Sequence, residues 1–214
     1  MRGILNAVVW VVLVAGIAAG FLRLTCMRVW TMPGDDSLLA LSVLPTLEAG
    51  DVLVLLRGGS PSYGELVRCP DPEVPGKYVV GRILGEQGDR VLAEQAGVTV
   101  NDKTIRSIHA CTPPKLSVHD LRSGEDLELA CEIEEAGGTE YTRARAANPL
   151  IMGQPYAVTV PEGRVFLASD DRYYHDDSRD FGPLLRDSCN ERVVFRFVGV
   201  HGWFDQPRRM SVIR

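Results

Sequence analysis

Ser169-Asp170-Asp171-Arg172-Tyr173-Tyr174-His175-Asp176-Asp177-Ser178-Arg179-Asp180-Phe181-Gly182 is the stretch in which the chain concentrates its polar chemistry. Two apolar segments that read as strands flank it, Val165-Phe166-Leu167 before and Val193 to Val200 after. A charge run held between strands belongs to a scaffold, unlike a run in a linker. Acids and two arginines beside a histidine therefore mark a candidate site, with a solvated surface loop as the competing reading.

Outward from this stretch the pattern repeats. Asp51 opens a strand at Val52-Leu53-Val54-Leu55-Leu56, Tyr78-Val79-Val80 leads through Gly81 into Arg82-Ile83-Leu84, and Arg90-Val91-Leu92 follows the turn Gly85-Glu86-Gln87-Gly88-Asp89. Val98 to Ile105 has the form of a hairpin about Asn101-Asp102, and Ala157-Val158-Thr159-Val160 returns to strand pattern. Residues 107–156 read as an inserted β-rich region with acidic turns. Short strands, Gly/Pro turns and no long amphipathic helix predict a mostly β body, a barrel or folded sheet rather than a doubly wound fold.

The amino terminus has a different character. From Ile4 to Leu22 the chain is almost wholly apolar, and at about 1.5 Å per residue this run approaches the roughly 30 Å of a bilayer's hydrocarbon core. It exceeds the roughly 7–15 apolar residues of a cleaved signal peptide, so it reads as an uncleaved membrane anchor. Arg2 faces Arg23 and Arg28 across the span, which leaves orientation open on charge alone; the short flank puts the body outside the cytoplasm. The expected organisation is an anchor at 1–24, a linker at 25–36, an exoplasmic domain at 37–200 and a tail at 201–214. In that tail His201-Gly202-Trp203-Phe204 with Arg208, Arg209 and Arg214 suits a membrane interface or an ordinary exposed end.

The 214 residues allow one sizeable domain plus an appendage. A net charge of −5 without a basic run excludes nucleic acid as a partner. The five cysteines lack zinc-ligand spacing, so no metal or other cofactor is expected. In an exported body Cys111 and Cys131, flanking one hairpin-sized insert, are the pair to expect as a disulfide, although spacing does not fix connectivity.

Three blocks in order behind the anchor resemble the bacterial type I signal peptidases (family S26), membrane-anchored serine endopeptidases that remove signal peptides from exported proteins. Ser42-Val43-Leu44-Pro45-Thr46-Leu47-Glu48-Ala49-Gly50-Asp51 is similar to the family's Ser-Met-x-Pro-Thr-Leu-x-x-Gly-Asp nucleophile block. Arg82-Ile83-Leu84-Gly85-Glu86-Gln87-Gly88-Asp89-Arg90-Val91 resembles Lys-Arg-x-x-Gly-x-Pro-Gly-Asp-x-Val, and the opening stretch resembles Gly-Asp-Asn-Arg-x-x-Ser-x-Asp-Ser-Arg-x-x-Gly. The resemblance implies Ser42 as nucleophile, signal peptides as substrates, and a single-pass place in the cytoplasmic (inner) membrane with the catalytic domain on the exoplasmic or periplasmic side.

Departures from the pattern shape the chemistry to expect. The family's general-base lysine corresponds to Gly81, and Lys77, four residues earlier, is about 13 Å away along a strand. A serine without a base is a weak nucleophile. At the position of the family's third-block serine this chain carries His175, so the expectation is a base moved from the second block to the third. Free histidine, near pKa 6.5, needs no desolvation to serve, unlike lysine near 10.4. Asp177 or Asp170 would orient the ring, and Asp170, Arg172 and Arg179 are expected to pair structurally. Ala40 stands where the family has an oxyanion-hole hydroxyl, a loss of about 2.7–4 kcal/mol in transition-state stabilisation. Two rivals remain: a relative that binds signal peptides or a membrane partner without cutting, and a narrow-specificity processing peptidase.

Overall fold

The computed structural model describes residues 2–94, 97–119, 124–147 and 154–213; parts of the expected 107–156 insert, and Arg214, lie outside them. After α1 (Arg2–Thr25) come β1 (Met27–Thr31), α2 (Ser37–Ser42), β2 (Val52–Arg57), β3 (Leu66–Pro70), β4 (Tyr78–Gly85), β5 (Arg90–Glu94), β6 (Gly97–Val100) and β7 (Lys103–Thr104). The chain continues through β8 (Ser107–His119), β9 (Asp126–Ala136), β10 (Thr139–Ala146), β11 (Tyr156–Thr159), β12 (Arg164–Ala168), α3 (Ser178–Phe181), β13 (Leu184–Leu185), β14 (Glu191–Val198) and β15 (Ser211–Val212).

The main sheet runs β1-β2-β14-β3-β4-β12-β13, with β15 beside β14. It is antiparallel throughout, so the β body expected from the sequence is what forms. Alternation along β2 explains its core: Leu53 and Leu55 are fully buried and pack with Met32, Leu39, Val43, Leu47 and Val193. The hairpin at Val98–Ile105 is present as β6–β7, with Asn101 and Asp102 at positive φ of 48° and 66°, the backbone of a primed turn. Residues 27–31 of the expected linker are a strand, Met27 to Thr31 pairing with Leu56 to Val52. Within the insert, β8, β9 and β10 make a separate antiparallel sheet.

Two disulfides staple these layers. Cys111–Cys131 joins β8 to β9 as expected, while Cys69–Cys189, 120 residues apart in sequence, ties β3 to the approach to β14. Cys26 is exposed and free. The helix α1 has 24 residues, only part of them with described side chains, and among the described residues no helix is long and apolar enough to cross a membrane.

Candidate active site

Ser42 closes α2. Asp36 caps the helix, accepting from Leu39 N–H at 3.3 Å, and its other oxygen takes the Lys77 ammonium at 2.9 Å. Lys77 therefore sits at the helix's amino end, and Ser42 lies at the opposite end. Ser42 is fully buried and its hydroxyl donates to the Leu39 carbonyl at 3.0 Å.

The nucleophile segment is stitched to the charged stretch at two points. Asp171 N–H donates to the Ser42 carbonyl at 2.9 Å, and the Thr46 hydroxyl donates to Asp170 Oδ2 at 2.6 Å. Asp170 in turn holds Arg82 of β4 in a two-pronged pair at 3.1 and 3.0 Å, with both side chains fully buried. The first, second and third blocks thus converge on one carboxylate. The insert joins them: Ala144 of β10 exchanges backbone bonds with Asp170 and Arg172, and Arg172 reaches Glu134 of β9 at 3.2 Å.

Gly81 has its own geometric reason. A Cβ there would stand 3.2 Å from Leu167 Cβ and 3.3 Å from the Ala168 carbonyl oxygen, tighter than ordinary van der Waals contact. The position is closed by β12, so a longer side chain has to push that strand. Gly81→Ala is expected to cost about 1–3 kcal/mol by overpacking, read as a lowered urea midpoint at unchanged m-value.

Asp177 is absorbed by the backbone. It caps α3 and accepts from Ser169 N–H at 2.7 Å, Arg179 N–H at 2.9 Å and the Arg179 guanidinium at 2.7 Å. Burial opposes its charge, but Arg179 and these donors outweigh burial and hold the carboxyl down at about 2. The group on the imidazole is Asp180, whose Oδ2 lies 2.8 Å from His175 Nδ1 and also accepts from Asp177 N–H at 3.1 Å. Neither Asp177 nor Asp170, the two expected orienting acids, touches the ring. His175, Asp177 and Asp180 bring donor atoms within 4.8 Å of one another, a cluster accounted for by Arg179 and the α3 cap. Of the three residues expected to pair within the stretch, Arg179 does so with Asp177, whereas Arg172 meets Glu134 and Asp170 meets Arg82, both outside it.

His175 opens on a cavity of about 280 Å³ lined also by Glu94, Tyr156 and Arg179, and among the described residues no hydrogen bond joins it to Ser42. Its neighbour Asp176 is pushed up to about 6, by burial and then by the surrounding charges of Asp71, Asp180, Asp36 and Asp177. Asp171 is likewise raised to about 6, by burial that its turn amides and nearby arginines offset only in part. Asp171 and Asp176 were hidden among five aspartates in one run; Asp170 and Asp177 are as buried as Asp171, and what distinguishes those two is an arginine partner.

Beside α2 lies a second cavity of about 220 Å³, lined by Trp30, Pro33, Leu39 and Tyr78 with Asp35, Asp36 and Lys77 at its rim. On one edge β4 is paired from Tyr78 to Arg82 by β3; on the other, β12 covers only Arg82 to Gly85. The β12 pairing stops at Arg82, but Val79, Val80 and Gly81 are buried, and Tyr78 is the residue of this segment that lines the cavity.

Comparison with known proteins agrees with the three blocks. A family model described as signal peptidase, peptidase S26, matches residues 4–198. Signal peptidase I of Streptococcus pneumoniae is 27% identical over 165 residues, 73% of this chain and 78% of that protein. A probable signal peptidase I-1 of Synechocystis sp. is 27% identical over 131 residues, 55% of this chain and 66% of its own. A solved signal peptidase I from Enterococcus faecalis V583 superposes with a TM-score of 0.40 at 19% identity, covering 63% of this chain and 97% of its own.

Proposed function

The chain belongs to the signal peptidase family S26, and from that premise we propose that it is a membrane-anchored serine endopeptidase that removes signal peptides from exported preproteins. Ser42 is the nucleophile and His175 the base, with Asp180 as the acid that orients it. The observation that carries this reading is the direct bond from Asp171 N–H to the Ser42 carbonyl, which makes the nucleophile segment and the His175 loop one hydrogen-bonded unit.

The chemistry follows from the groups present. With Nδ1 on the Asp180 carboxylate, the neutral ring carries its proton there and leaves Nε2 as the acceptor. Attack requires the Ser42 hydroxyl to leave the Leu39 carbonyl and turn toward that acceptor when substrate orders the loop; catalytic hydrogen bonds commonly tighten only in the complex. The acyl-enzyme formed on Ser42 is then resolved by water. An extended substrate segment lies beside the Ser42 segment and places a side chain in the cavity against Leu39. The apolar sequence of α1 anchors the body, and two disulfides suit an oxidising, exoplasmic compartment.

A second reading, a relative that holds signal peptides without cutting them, is favoured by two observations: Ser42 is buried with its hydroxyl already engaged, and position 81 is glycine rather than lysine. Purified, lipid-reconstituted protein incubated with preproteins separates the two. Wild type is expected to release the mature protein, Ser42→Ala to release none, and His175→Ala to be slower by about a hundredfold or more. Equal rates for wild type and His175→Ala would remove the histidine from the mechanism. Binding of a signal peptide without any product from wild type would establish the second reading.

A further inference from the structure

A cationic cluster stands where α1 hands over to the sheet. Arg57 N–H donates to the Cys26 carbonyl at 2.8 Å, and β1 begins at Met27, so Arg28 and Arg57 both lie at the foot of α1. In register, Glu191 of β14 faces Arg57 on β2 and Arg68 on β3. Its carboxylate serves three guanidiniums: Arg68 through Nε at 2.7 Å and through Nη2, Arg57 through Nε at 3.4 Å, and Arg28 through Nη1 at 3.5 Å. Three positive charges share one negative charge. The cluster keeps a net charge of +2 on a chain whose total is −5.

The three arginines divide the work. Arg68 is buried with its guanidinium between the Trp30 ring at 4.7 Å and the Tyr78 ring at 4.0 Å, and its Nη1 has no hydrogen-bond partner among the described residues. Arg28 and Arg57 remain 45% and 46% exposed, each meeting Glu191 by one long contact. Most of their five donors apiece are left for a ligand. The planar fork of a guanidinium matches two oxygens of a phosphate.

We propose that Arg28 and Arg57, backed by Arg68, form a headgroup site for an anionic phospholipid that seats the body on the membrane. This rests on the reading of α1 as the anchor. Arg28 follows the end of α1 by three residues, within about 10 Å at roughly 3.3 Å per residue, which is headgroup depth for a helix that fills the hydrocarbon core. Trp30, on the same strand, has the character of an interfacial side chain. Because the chain as a whole is acidic, an anionic surface would repel it unless a local cationic face met the lipid.

The test uses the full chain in phosphatidylcholine bilayers with and without phosphatidylglycerol, with retained lipids counted by native mass spectrometry after release. Wild type is expected to retain phosphatidylglycerol over phosphatidylcholine by about tenfold or more, and Arg28→Gln/Arg57→Gln to lose that preference. Arg90→Gln, an exposed arginine on the Asp102 pair, is expected to keep it. Equal preference in wild type and the double variant would overturn the site. So would protection of detergent-solubilised wild type from heat by inorganic phosphate without any lipid preference, since the ligand would then be free phosphate. Alkaline-carbonate extraction of the same vesicles tells the two readings apart. A chain that washes off sinks the anchor and the lipid site together, whereas one that stays without lipid preference sinks the lipid site alone.

Discussion

Arg82→Met is expected to destabilise the protein by about 3–5 kcal/mol, the largest single-residue effect anticipated in the charged framework of the site. Arg82 is fully buried, gives two bonds to Asp170 and one to the Gly64 carbonyl at 2.7 Å, and stacks on Tyr141 at 4.0 Å. Methionine retains much of the volume and removes the charge. Asp170 is then a buried carboxylate without its two-pronged partner, left with the Thr46 hydroxyl and the charge of nearby Arg172, and the Gly64 carbonyl loses its donor. The cost is one of abandonment, because the pair itself, set against apolar residues of the same size, is worth little. Arg82→Met/Asp170→Leu should therefore recover a large part of the loss, a coupling that a double-mutant cycle in urea isolates. A single variant within about 1 kcal/mol of wild type would mean that water reaches Asp170. Because Asp170 also holds Thr46, the single variant is expected to loosen the Ser42 segment as well, measured as faster amide exchange at Val43 and Leu47.

The same carboxylate shows what the sequence made legible and what it did not. Strands at Val52–Leu56, Arg90–Leu92 and Val165–Leu167 were readable because apolar runs between Gly and Pro turns have one outcome. The three blocks were readable because their residue types and order are specific. The six-residue α2 was not: it is too short for a periodic pattern, and its existence depends on the Asp36 cap and on packing of Leu39. The long strand β8 was hidden because almost all of it is exposed and it carries Pro113-Pro114, so no apolar alternation marks it. Cys69 and Cys189 sit 4.4 Å apart at Cα, but 120 residues of sequence separate them and only the β3–β14 pairing brings them together.

That Asp180 rather than Asp177 meets the imidazole has a local cause. Asp177-Ser178-Arg179-Asp180 is a capping box, in which the first acid serves amides at the start of α3 and the fourth reaches back to the first residue's N–H. The spacing of a box was present in the sequence, and it commits Asp177 to the backbone. Asp180, at the exposed end, retains an oxygen surface for His175. The base proposed for the reaction therefore depends on a helix of four residues, and Asp180→Asn, which keeps one acceptor, is a milder change than Asp180→Ala, which loses both the cap and the ring's partner.

Asp171→Asn is expected to stabilise the protein above pH 6 and to flatten its response to pH. Asp171 is fully buried; Oδ1 accepts from Tyr173 and Tyr174 N–H at 2.8 and 3.2 Å, while Oδ2 has no hydrogen-bond partner among the described residues. Burial raises the carboxyl from 3.8 to about 6. The sign follows from proton counting: between those values the folded state holds a proton that the unfolded chain has released, so stability falls as pH rises through this window and stays lower above it. At about 1.36 kcal/mol per unit the deficit is at most about 3 kcal/mol. Asparagine keeps the two turn bonds and removes the charge, but it places an NH₂ where Oδ2 lacks a partner, so the expected net gain at pH 7 is about 1–2 kcal/mol. Asp176, also raised to about 6 but only partly buried, works in the same direction in both proteins. Asp177, held at about 2, contributes stability that is present above its unfolded value near 3.8 and is lost as pH falls through about 2. On these three groups alone, wild type should accordingly be most stable close to pH 3.8, where the two windows meet. Urea midpoints taken from pH 3 to 8 for both proteins decide the matter: parallel curves would place the proton of this window on another group, whereas curves that separate between pH 4 and 6.5 assign it to the residue whose N–H holds Ser42.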